Sequence, residues 1–118
     1  LVVIDAPCTG SGTIRRNPDL KWRLKKEDIL YRSKIQKEIL NEYTGYVRNG
    51  GLLLYITCSF FVDENEKIID ELSKSNFSIV YDKQFFEKYN IHTEKGELRL
   101  YPHLHNTDGF TAFLLKKN

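Results

Sequence analysis

The sequence of 118 residues contains no methionine, not even at its first position, and only two cysteines and three prolines. Because a complete reading frame starts with methionine, we expect the chain to be a segment of a longer protein. The longest uninterrupted apolar run, Leu52 to Ile56, is far shorter than the ~20 residues of a membrane-spanning helix, so no membrane contact is expected. Two distant cysteines do not make a disulfide framework or a structural zinc site. They predict free thiols in a cytoplasmic protein, or a nucleolar one in a eukaryote.

The charge is distributed unevenly along the chain, although its net value is only +2. Residues 15–26 read RRNPDLKWRLKK and contain six basic residues against one acidic residue, Asp19. A local basic segment on a nearly neutral domain predicts a polyanionic partner that binds at one place. The alternative is a solvated loop and helix start with no partner.

Strands and helices alternate in the predicted structure, which is typical of an α/β fold with a parallel sheet and right-handed crossovers. The first strand is expected to be buried on both faces, and the second is expected to be buried as well. The predicted strands cover residues 1–5, 52–57, 77–81, 97–101 and 111–116.

Two helices are predicted between these strands. The first covers about residues 27–48 and buries one face. The residues of this face are Ile35, Ile39, Leu40, Tyr43 and Val47. The second begins at Asp63, where Glu66 completes a pattern like a capping box, and it runs to about Lys74. Residues 82–96 are ambiguous between a loop and one helical turn that packs on the sheet.

Each cysteine directly follows a predicted strand, Cys8 the first and Cys58 the second. Ligands of open parallel sheets bind at the carboxyl ends of the strands. We therefore expect both thiols to face one crevice, with Asp5 at the end of the first strand. The alternative is that both cysteines are small buried core residues, which is the commonest place for a free thiol.

Several known thiol and glycine-loop chemistries do not fit the local sequence. A phosphatase loop requires an arginine where this chain has Ile14, and a P-loop requires a Gly-Lys-Ser/Thr ending that residues 8–13 lack. A thioredoxin-type redox pair needs its cysteines separated by only two residues. A cysteine hydrolase that uses His92, His103 or His105 as its base remains open.

Three segments of the chain match motifs of one enzyme family. They are residues 5–23 (DAPCTGSGTIRRNPDLKWR), residues 50–59 (GGLLLYITCS) with 63–66 (DENE), and residues 99–103 (RLYPH) with 107–110 (TDGF). In this order they resemble the fourth, sixth and carboxyl-terminal motifs of the Sun/RsmB-type RNA (cytosine-5)-methyltransferases. The resemblance covers essentially the whole chain. It implies that residues 1–118 form the carboxyl-terminal part of a Rossmann-like methyltransferase fold, with a mostly parallel sheet, an antiparallel last strand and the cofactor loop upstream.

The resemblance also implies a reaction, which is methyl transfer from S-adenosylmethionine to carbon 5 of a cytosine in ribosomal or transfer RNA through a covalent cysteine adduct. It assigns the nucleophile to Cys58, and it assigns assistance in releasing the methylated base to Cys8. Asp5 is expected to orient the cytosine or to contact the cofactor. Because the reacting base must leave its stack, single-stranded or loop RNA is the expected substrate.

The basic segment is then expected to contact RNA phosphates through four side chains, Arg15, Arg16, Lys21 and Arg23. Trp22 lies between them and either stacks on a base or packs within the protein, and packing is the interpretation we favour. His103, His105 and Asp108 make only a weak metal-binding pattern. Methyl transfer needs no metal, so none is expected.

A second function from a different class remains open, which is a degenerate methyltransferase-like module that binds RNA or a protein without catalysis. The intact Cys8, Cys58 and Asp5 argue against degeneration. Because the cofactor loop of the family lies upstream, we expect the 118-residue chain alone neither to methylate RNA nor to bind S-adenosylmethionine tightly. Its first strand is expected to expose an unpaired edge.

Overall fold

The structure, a computed structural model, describes all 118 residues of the chain. The helices are α1 (Leu20–Arg23), α2 (Lys26–Tyr43), α3 (Glu66–Ser73), α4 (Lys83–Lys88) and α5 (Pro102–His105). The strands are β1 (Val2–Asp5), β2 (Leu52–Thr57), β3 (Phe77–Ile79), β4 (Leu98–Leu100) and β5 (Phe110–Lys117). Short 3₁₀ turns lie at Ser11–Thr13, Thr44–Tyr46 and Val62–Glu64. None of the helices combines the length and the apolar character that crossing a bilayer requires.

The strands form one sheet in the order β1-β2-β5-β3, in which β4 also pairs with β5. Strands β1 and β2 are parallel, whereas β5 runs antiparallel to β2, β3 and β4. Four strands therefore point the same way and the last is reversed, which confirms the predicted mostly parallel sheet with an antiparallel last strand. Because β5 lies between β2 and β3, β1 and β2 are the one pair of parallel strands that are adjacent.

Helices α2 and α3 cover one face of the sheet and build the main core there. This core includes Leu40, Leu53, Tyr55, Ile68, Ile69, Phe113 and Leu115. The opposite face is open, and its apolar side chains line a cavity of about 670 Å³ that includes Leu54, Ile56, Leu98, Leu100 and Leu114. Helix α4 contributes Phe85 and Phe86 to the wall of this cavity, so the helical turn that was one alternative for residues 82–96 is present.

Strand β1 is buried on one face only, and the prediction that it is buried on both faces is wrong. Ile4 is buried beneath the helices, whereas Val3 and Asp5 are exposed. The reason is that β1 is the edge strand and that the helices of this chain cover only one side of the sheet. Its outer edge is unpaired, as predicted.

Helix α2 ends at Tyr43, earlier than predicted, and Leu40 and Val47 of the predicted face are buried in the core. Ser33, Gln36 and Leu40 are its buried residues, whereas Tyr43 is exposed. Both polar side chains donate hydrogen bonds of 2.8 Å to loop carbonyls near the ends of β1 and β2. Burial of these two polar residues therefore follows from hydrogen bonds to other segments, beside the predicted apolar face.

The capping box predicted at the start of the second long helix is absent. Helix α3 begins at Glu66 after a 3₁₀ turn, and no side chain caps its first turn. Asp63 instead pairs with Lys67 at 2.7 Å, and Glu66 forms a half-buried ion pair with Arg99 of β4. Both acidic side chains therefore form ion pairs, and neither caps the start of the helix.

Candidate active site at the ends of strands β1 and β2

The two cysteines lie in contact at the carboxyl ends of β1 and β2. Their Sγ atoms are 2.9 Å apart, and both residues are half-buried. A disulfide bond has a sulfur–sulfur distance of about 2.05 Å, so these are two free thiols that share a hydrogen bond. The structure thus brings together the two residues that the sequence placed at matching strand ends.

Backbone hydrogen bonds hold the two cysteine loops against each other. The N–H of Ala6 donates to the Ile56 carbonyl at 2.9 Å, which extends the pairing of β1 and β2 up to the site. Beyond Cys8 the chain turns back, and the N–H of Gly12 donates to the Cys58 carbonyl at 2.8 Å. The positions of both thiols are therefore determined by the sheet and by the return of the first loop.

The two thiols have opposite shifts of pKa because they share one hydrogen bond. Donation from the Cys8 S–H lowers the pKa of Cys58 to about 7, against the effects of burial and of the carboxylates of Asp5 and Glu64. The same hydrogen bond, together with burial, raises the pKa of Cys8 far above its ordinary value. As the pH rises through about 7, the pair therefore becomes a Cys58 thiolate and a protonated Cys8, and the thiolate is the nucleophilic form.

We expect iodoacetamide to alkylate Cys58 at a rate that rises with pH through about 7, while Cys8 stays unmodified, because only the thiolate reacts. Cys8→Ala removes the donor and raises the pKa of Cys58, so the rate at pH 7 should fall at least about tenfold. Mass spectrometry of digests measures both sites. Equal labelling of the two cysteines, or a Cys58 profile centred near pH 9, contradicts the expected hydrogen bond.

A fully buried carboxylate, that of Glu64, joins the two cysteine loops. It accepts hydrogen bonds from the backbone N–H and the hydroxyl of Thr9, at 2.9 Å and 2.6 Å, and a short one from the Ser59 hydroxyl. Thr9 and Ser59 are the residues that follow the two cysteines. The Gln36 amide of α2 donates a fourth hydrogen bond at 3.1 Å. Because these four donors are all neutral, this carboxylate acts as the shared acceptor of the two loops.

A second buried polar group fixes the backbone just after Cys58. The Ser59 carbonyl accepts hydrogen bonds from the Thr111 hydroxyl at 2.8 Å and from the Asn65 amide at 2.9 Å. The Asn65 side chain in turn accepts from the Thr57 hydroxyl at 2.6 Å. Glu64 and Asn65 belong to the motif at residues 63–66, but the sequence analysis predicts no role for them. The available signal was two polar residues shortly after a Thr-Cys-Ser segment.

Two glycines allow the loop before β5 to close over the first cysteine loop. The N–H of Gly109 donates to the Gly12 carbonyl at 2.7 Å. A Cβ atom on Gly12 would overlap the Gly109 backbone, and one on Gly109 would overlap the Phe60 ring. Backbone on one side and an aromatic ring on the other leave no space for a methyl group.

We expect Gly12→Ala and Gly109→Ala each to lower the free energy of unfolding by about 3 kcal/mol, since the overlap forces backbone shifts. Gly45→Ala is the matched control, because nothing lies within 4 Å of its Cβ position, and we expect a change within about 1 kcal/mol. Urea denaturation followed by circular dichroism measures all three. Similar midpoints for all variants would show that the two loops separate easily.

Asp5 ends β1 beside the thiols but faces the open side of the sheet. Its carboxylate is exposed, makes no hydrogen bond within the protein, and lines the apolar cavity together with Ile56 and Phe110. Its charge nevertheless acts on Cys58, whose pKa it raises against the larger effect of Cys8. A free carboxylate beside an apolar wall fits a ligand that combines a ring with hydrogen-bond donors.

The four basic residues predicted to contact RNA lie in two groups. Arg16 pairs with Asp108 at 2.6 Å and Arg15 reaches Asn106 at 3.4 Å, so both are bound to the segment before β5. Lys21 and Arg23 lie exposed on α1. All four remain on the surface.

Trp22 is 84% exposed, so the prediction that it packs within the protein is wrong. Helix α1 is a single turn in which Leu20 is half-buried, and the tryptophan points away from that side. The Lys21 ammonium lies 5.2 Å from the centre of its ring.

The histidines contact neither the thiol pair nor a group of residues that could bind a metal ion. The His105 Nδ1 accepts a hydrogen bond from the Tyr101 N–H at 2.9 Å, and Asp108 is engaged by Arg16. No group of three histidine, cysteine, aspartate or glutamate residues is close enough to hold a metal ion. No histidine hydrogen-bonds Cys8 or Cys58, so the structure offers no imidazole base for a cysteine hydrolase.

The strand order and the thiol site together define the class of the protein. A reversed last strand inserted beside β2 in an otherwise parallel α/β sheet is the Rossmann-like arrangement of methyltransferases. The family model of the 16S rRNA methyltransferases RsmB/F matches residues 1–116, and the chain belongs to this family. This confirms the resemblance seen in the three sequence motifs.

Curated relatives and a solved structure agree with the family. The chain is 35% identical over 120 residues to the probable ribosomal RNA small subunit methyltransferase B of Bacillus subtilis (strain 168), covering 98% of the chain and 27% of that protein. It is 35% identical over 130 residues to the human 28S rRNA (cytosine(4447)-C(5))-methyltransferase, covering 98% and 16%. The crystal structure of NSun6 from Pyrococcus horikoshii with SFG superposes with a TM-score of 0.80 at 25% identity, covering 98% and 29%. The chain thus spans less than a third of each.

Proposed function

We propose that the protein carrying this chain transfers a methyl group from S-adenosylmethionine to carbon 5 of a cytosine in ribosomal RNA. The observation that carries the proposal is the thiol pair, in which Cys8 lowers the pKa of Cys58 to about 7 over a sulfur–sulfur distance of 2.9 Å. The names of the curated relatives, which specify rRNA and cytosine carbon 5, support the substrate and the position.

The thiol pair suits a reaction in which a poor carbon nucleophile must be activated. The Cys58 thiolate adds to carbon 6 of cytosine, and the electron pair of the carbon 5–carbon 6 double bond makes carbon 5 nucleophilic. Bound S-adenosylmethionine supplies the electrophilic methyl group. When carbon 5 takes this methyl group, the methyl–sulfur bond breaks and a neutral thioether is left. Transfer of the carbon 5 proton to a water molecule would then restore the double bond and expel the thiolate. The Cys8 S–H, which already hydrogen-bonds Cys58, stabilises this leaving thiolate.

Asp5 is the residue of this chain that we assign to ligand positioning. Its free carboxylate accepts hydrogen bonds from the exocyclic amine of cytosine or from donors of the cofactor. Ile56 and Phe110 provide an apolar wall beside it, which fits the ring of either ligand. The acceptor and the wall lie together at the end of β1, within electrostatic range of Cys58.

The exposed basic residues support an RNA substrate whose target base is not stacked in a duplex. Arg15, Arg16, Lys21 and Arg23 provide phosphate contacts on the surface around the site. Exposed Trp22 presents a face on which a base can stack. Stacking surfaces suit single-stranded or loop RNA, in which the cytosine reaches the thiols without opening a helix.

Methyl transfer by the complete reading frame that encodes this chain tests the proposal. Labelled S-adenosylmethionine and ribosomal RNA are expected to yield label on carbon 5 of cytosine, whereas the 118-residue chain alone is expected to yield none. Nucleoside analysis by mass spectrometry identifies the product and its position. RNA binding with neither methyl transfer nor cofactor binding would favour the alternative of a binding module without catalysis.

A further inference from the structure

A second cavity, which we call the α2 cavity, opens beside Cys8 and has a volume of about 500 Å³. It lies between the first cysteine loop, α1 and the start of α2. The residues of its wall that matter here are Cys8, Arg23, Lys25, Asp28, Tyr31 and Arg32. No residue lines both this cavity and the apolar cavity beside Asp5, and of the two only the α2 cavity has a cysteine in its wall.

The wall of the α2 cavity carries three cations and one carboxylate. The Asp28 carboxylate accepts a hydrogen bond of 2.8 Å from the backbone N–H of Lys25 at the start of the helix, and Arg23 pairs with Asp19 at 3.1 Å. Lys25 has no ion pair, and the half-buried Arg32 has neither an ion pair nor a hydrogen bond within the protein. The Arg32 guanidinium lies 6.0 Å from the centre of the Tyr31 ring and has no acceptor in the protein, so its donors are free to bind an anion that enters the cavity.

The position of the α2 cavity indicates which anion it receives. Cys8 belongs to its wall, and the Cys8 sulfur lies 2.9 Å from the sulfur of Cys58. A cytosine seated at Cys58 therefore brings its own sugar–phosphate backbone into the region of the cavity. The phosphodiester is the anion that every RNA strand carries beside its bases. A guanidinium binds its oxygens through two parallel hydrogen bonds.

We propose that the α2 cavity binds the phosphodiester group that flanks the target cytosine, with Arg32 as the main contact and Lys25 as the second. This binding rests on the proposed function, because it takes RNA as the substrate of the thiol pair. Arg23 and Lys21 contact RNA on the exposed surface of α1, whereas Arg32 holds the nucleotide in register with Cys58.

RNA binding by the complete protein tests the role of Arg32. The matched control is Arg48→Gln. Arg48 is an exposed arginine without an ion pair, and it precedes the start of β2, whereas the thiols lie at the other end of that strand. Arg32→Gln is expected to weaken binding of an rRNA fragment containing the target cytosine about tenfold, and to reduce the slope of log K against log salt by about 0.7. Arg32→Lys keeps the charge and should keep the slope. Arg48→Gln should change neither quantity.

A neutral methylphosphonate at the linkage beside the target cytosine identifies the phosphate. It is expected to weaken binding to the wild-type protein and to Arg48→Gln, and to have no further effect on Arg32→Gln. An additive effect in Arg32→Gln, or equal RNA binding by the two arginine variants, overturns the proposal. A raised KM of Arg32→Gln for S-adenosylmethionine, with RNA binding unchanged, also overturns the proposal. Failure of the wild-type protein to methylate RNA would overturn the proposed function instead, while the binding data still decide the role of Arg32.

Discussion

Cys58→Ala is expected to abolish methyl transfer by the complete protein, lowering kcat by about 10⁴-fold or more. The reason is that, in the proposed reaction, thiolate addition to carbon 6 makes carbon 5 of cytosine nucleophilic, and no other side chain of the site replaces it. The Cys8 sulfur is only 2.9 Å away, but its pKa is raised and it holds its proton near neutral pH. Cys8 therefore does not substitute as the nucleophile.

Cys8→Ala is expected to fail at a different step and to leave the protein covalently attached to RNA. Without the Cys8 S–H, the pKa of Cys58 rises, so attack on the base is slower. Expulsion of the thiolate is slowed more, because the leaving sulfur loses its hydrogen-bond donor. Adduct should therefore accumulate over time, and labelled RNA that migrates with the protein on a denaturing gel measures it.

The double variant Cys8→Ala/Cys58→Ala is the control for this experiment and should form no adduct. Adduct formation by Cys58→Ala together with loss of adduct in Cys8→Ala would show that the two cysteines have exchanged roles. Release of product by Cys8→Ala at the wild-type rate would show that the hydrogen bond at 2.9 Å does not assist the leaving group.

Glu64→Ala is expected to lower the free energy of unfolding by about 4 kcal/mol, because four buried or half-buried donors lose their acceptor at once. These donors belong to Thr9, Gln36 and Ser59, so the loss separates both cysteine loops and α2. Glu64→Gln keeps the shape but replaces one acceptor oxygen by a donor, and we expect a loss of about 2 kcal/mol.

Glu71→Ala is the matched control for Glu64, since it removes a carboxylate of an exposed ion pair with Lys37. Its expected effect is at most about 1 kcal/mol. Urea denaturation gives the differences in stability, and the pH profile of Cys58 alkylation reports whether the thiol pair is still assembled. Equal midpoints for Glu64→Ala and Glu71→Ala would mean that water satisfies the donors and that the carboxylate does not join the loops.

The prediction from sequence succeeds where structure depends on neighbours along the chain. Strand β2 covers the predicted residues 52–57, because a short apolar run follows the glycine pair Gly50 and Gly51 there and ends at Thr57. The placement of Cys8 and Cys58 at one edge of the sheet also follows from local patterns, since parallel neighbouring strands end at the same edge.

The prediction fails where a polar side chain finds its partner far along the chain. Gln36 is fully buried because its amide donates hydrogen bonds to the Pro7 carbonyl and the Glu64 carboxylate. The spacing of apolar residues along a helix cannot predict the burial of such a polar side chain. Glu66 looks like a capping residue in the sequence, but it pairs with Arg99 of β4. Trp22 is exposed although tryptophan is mostly buried on average, because the single turn of α1 turns it outward.

The amino-acid sequence by itself determined where the strands lie, that two thiols follow two of them, and the family to which the three motifs belong. Only the tertiary structure decided the insertion of β5 beside β2, the contact that lowers the pKa of Cys58, and the carboxylate that joins the loops. The physical reason is distance along the chain. The thiols are 50 residues apart and Thr9 and Glu64 are 55 residues apart, so these hydrogen bonds form only when β1 and β2 pair in the folded sheet.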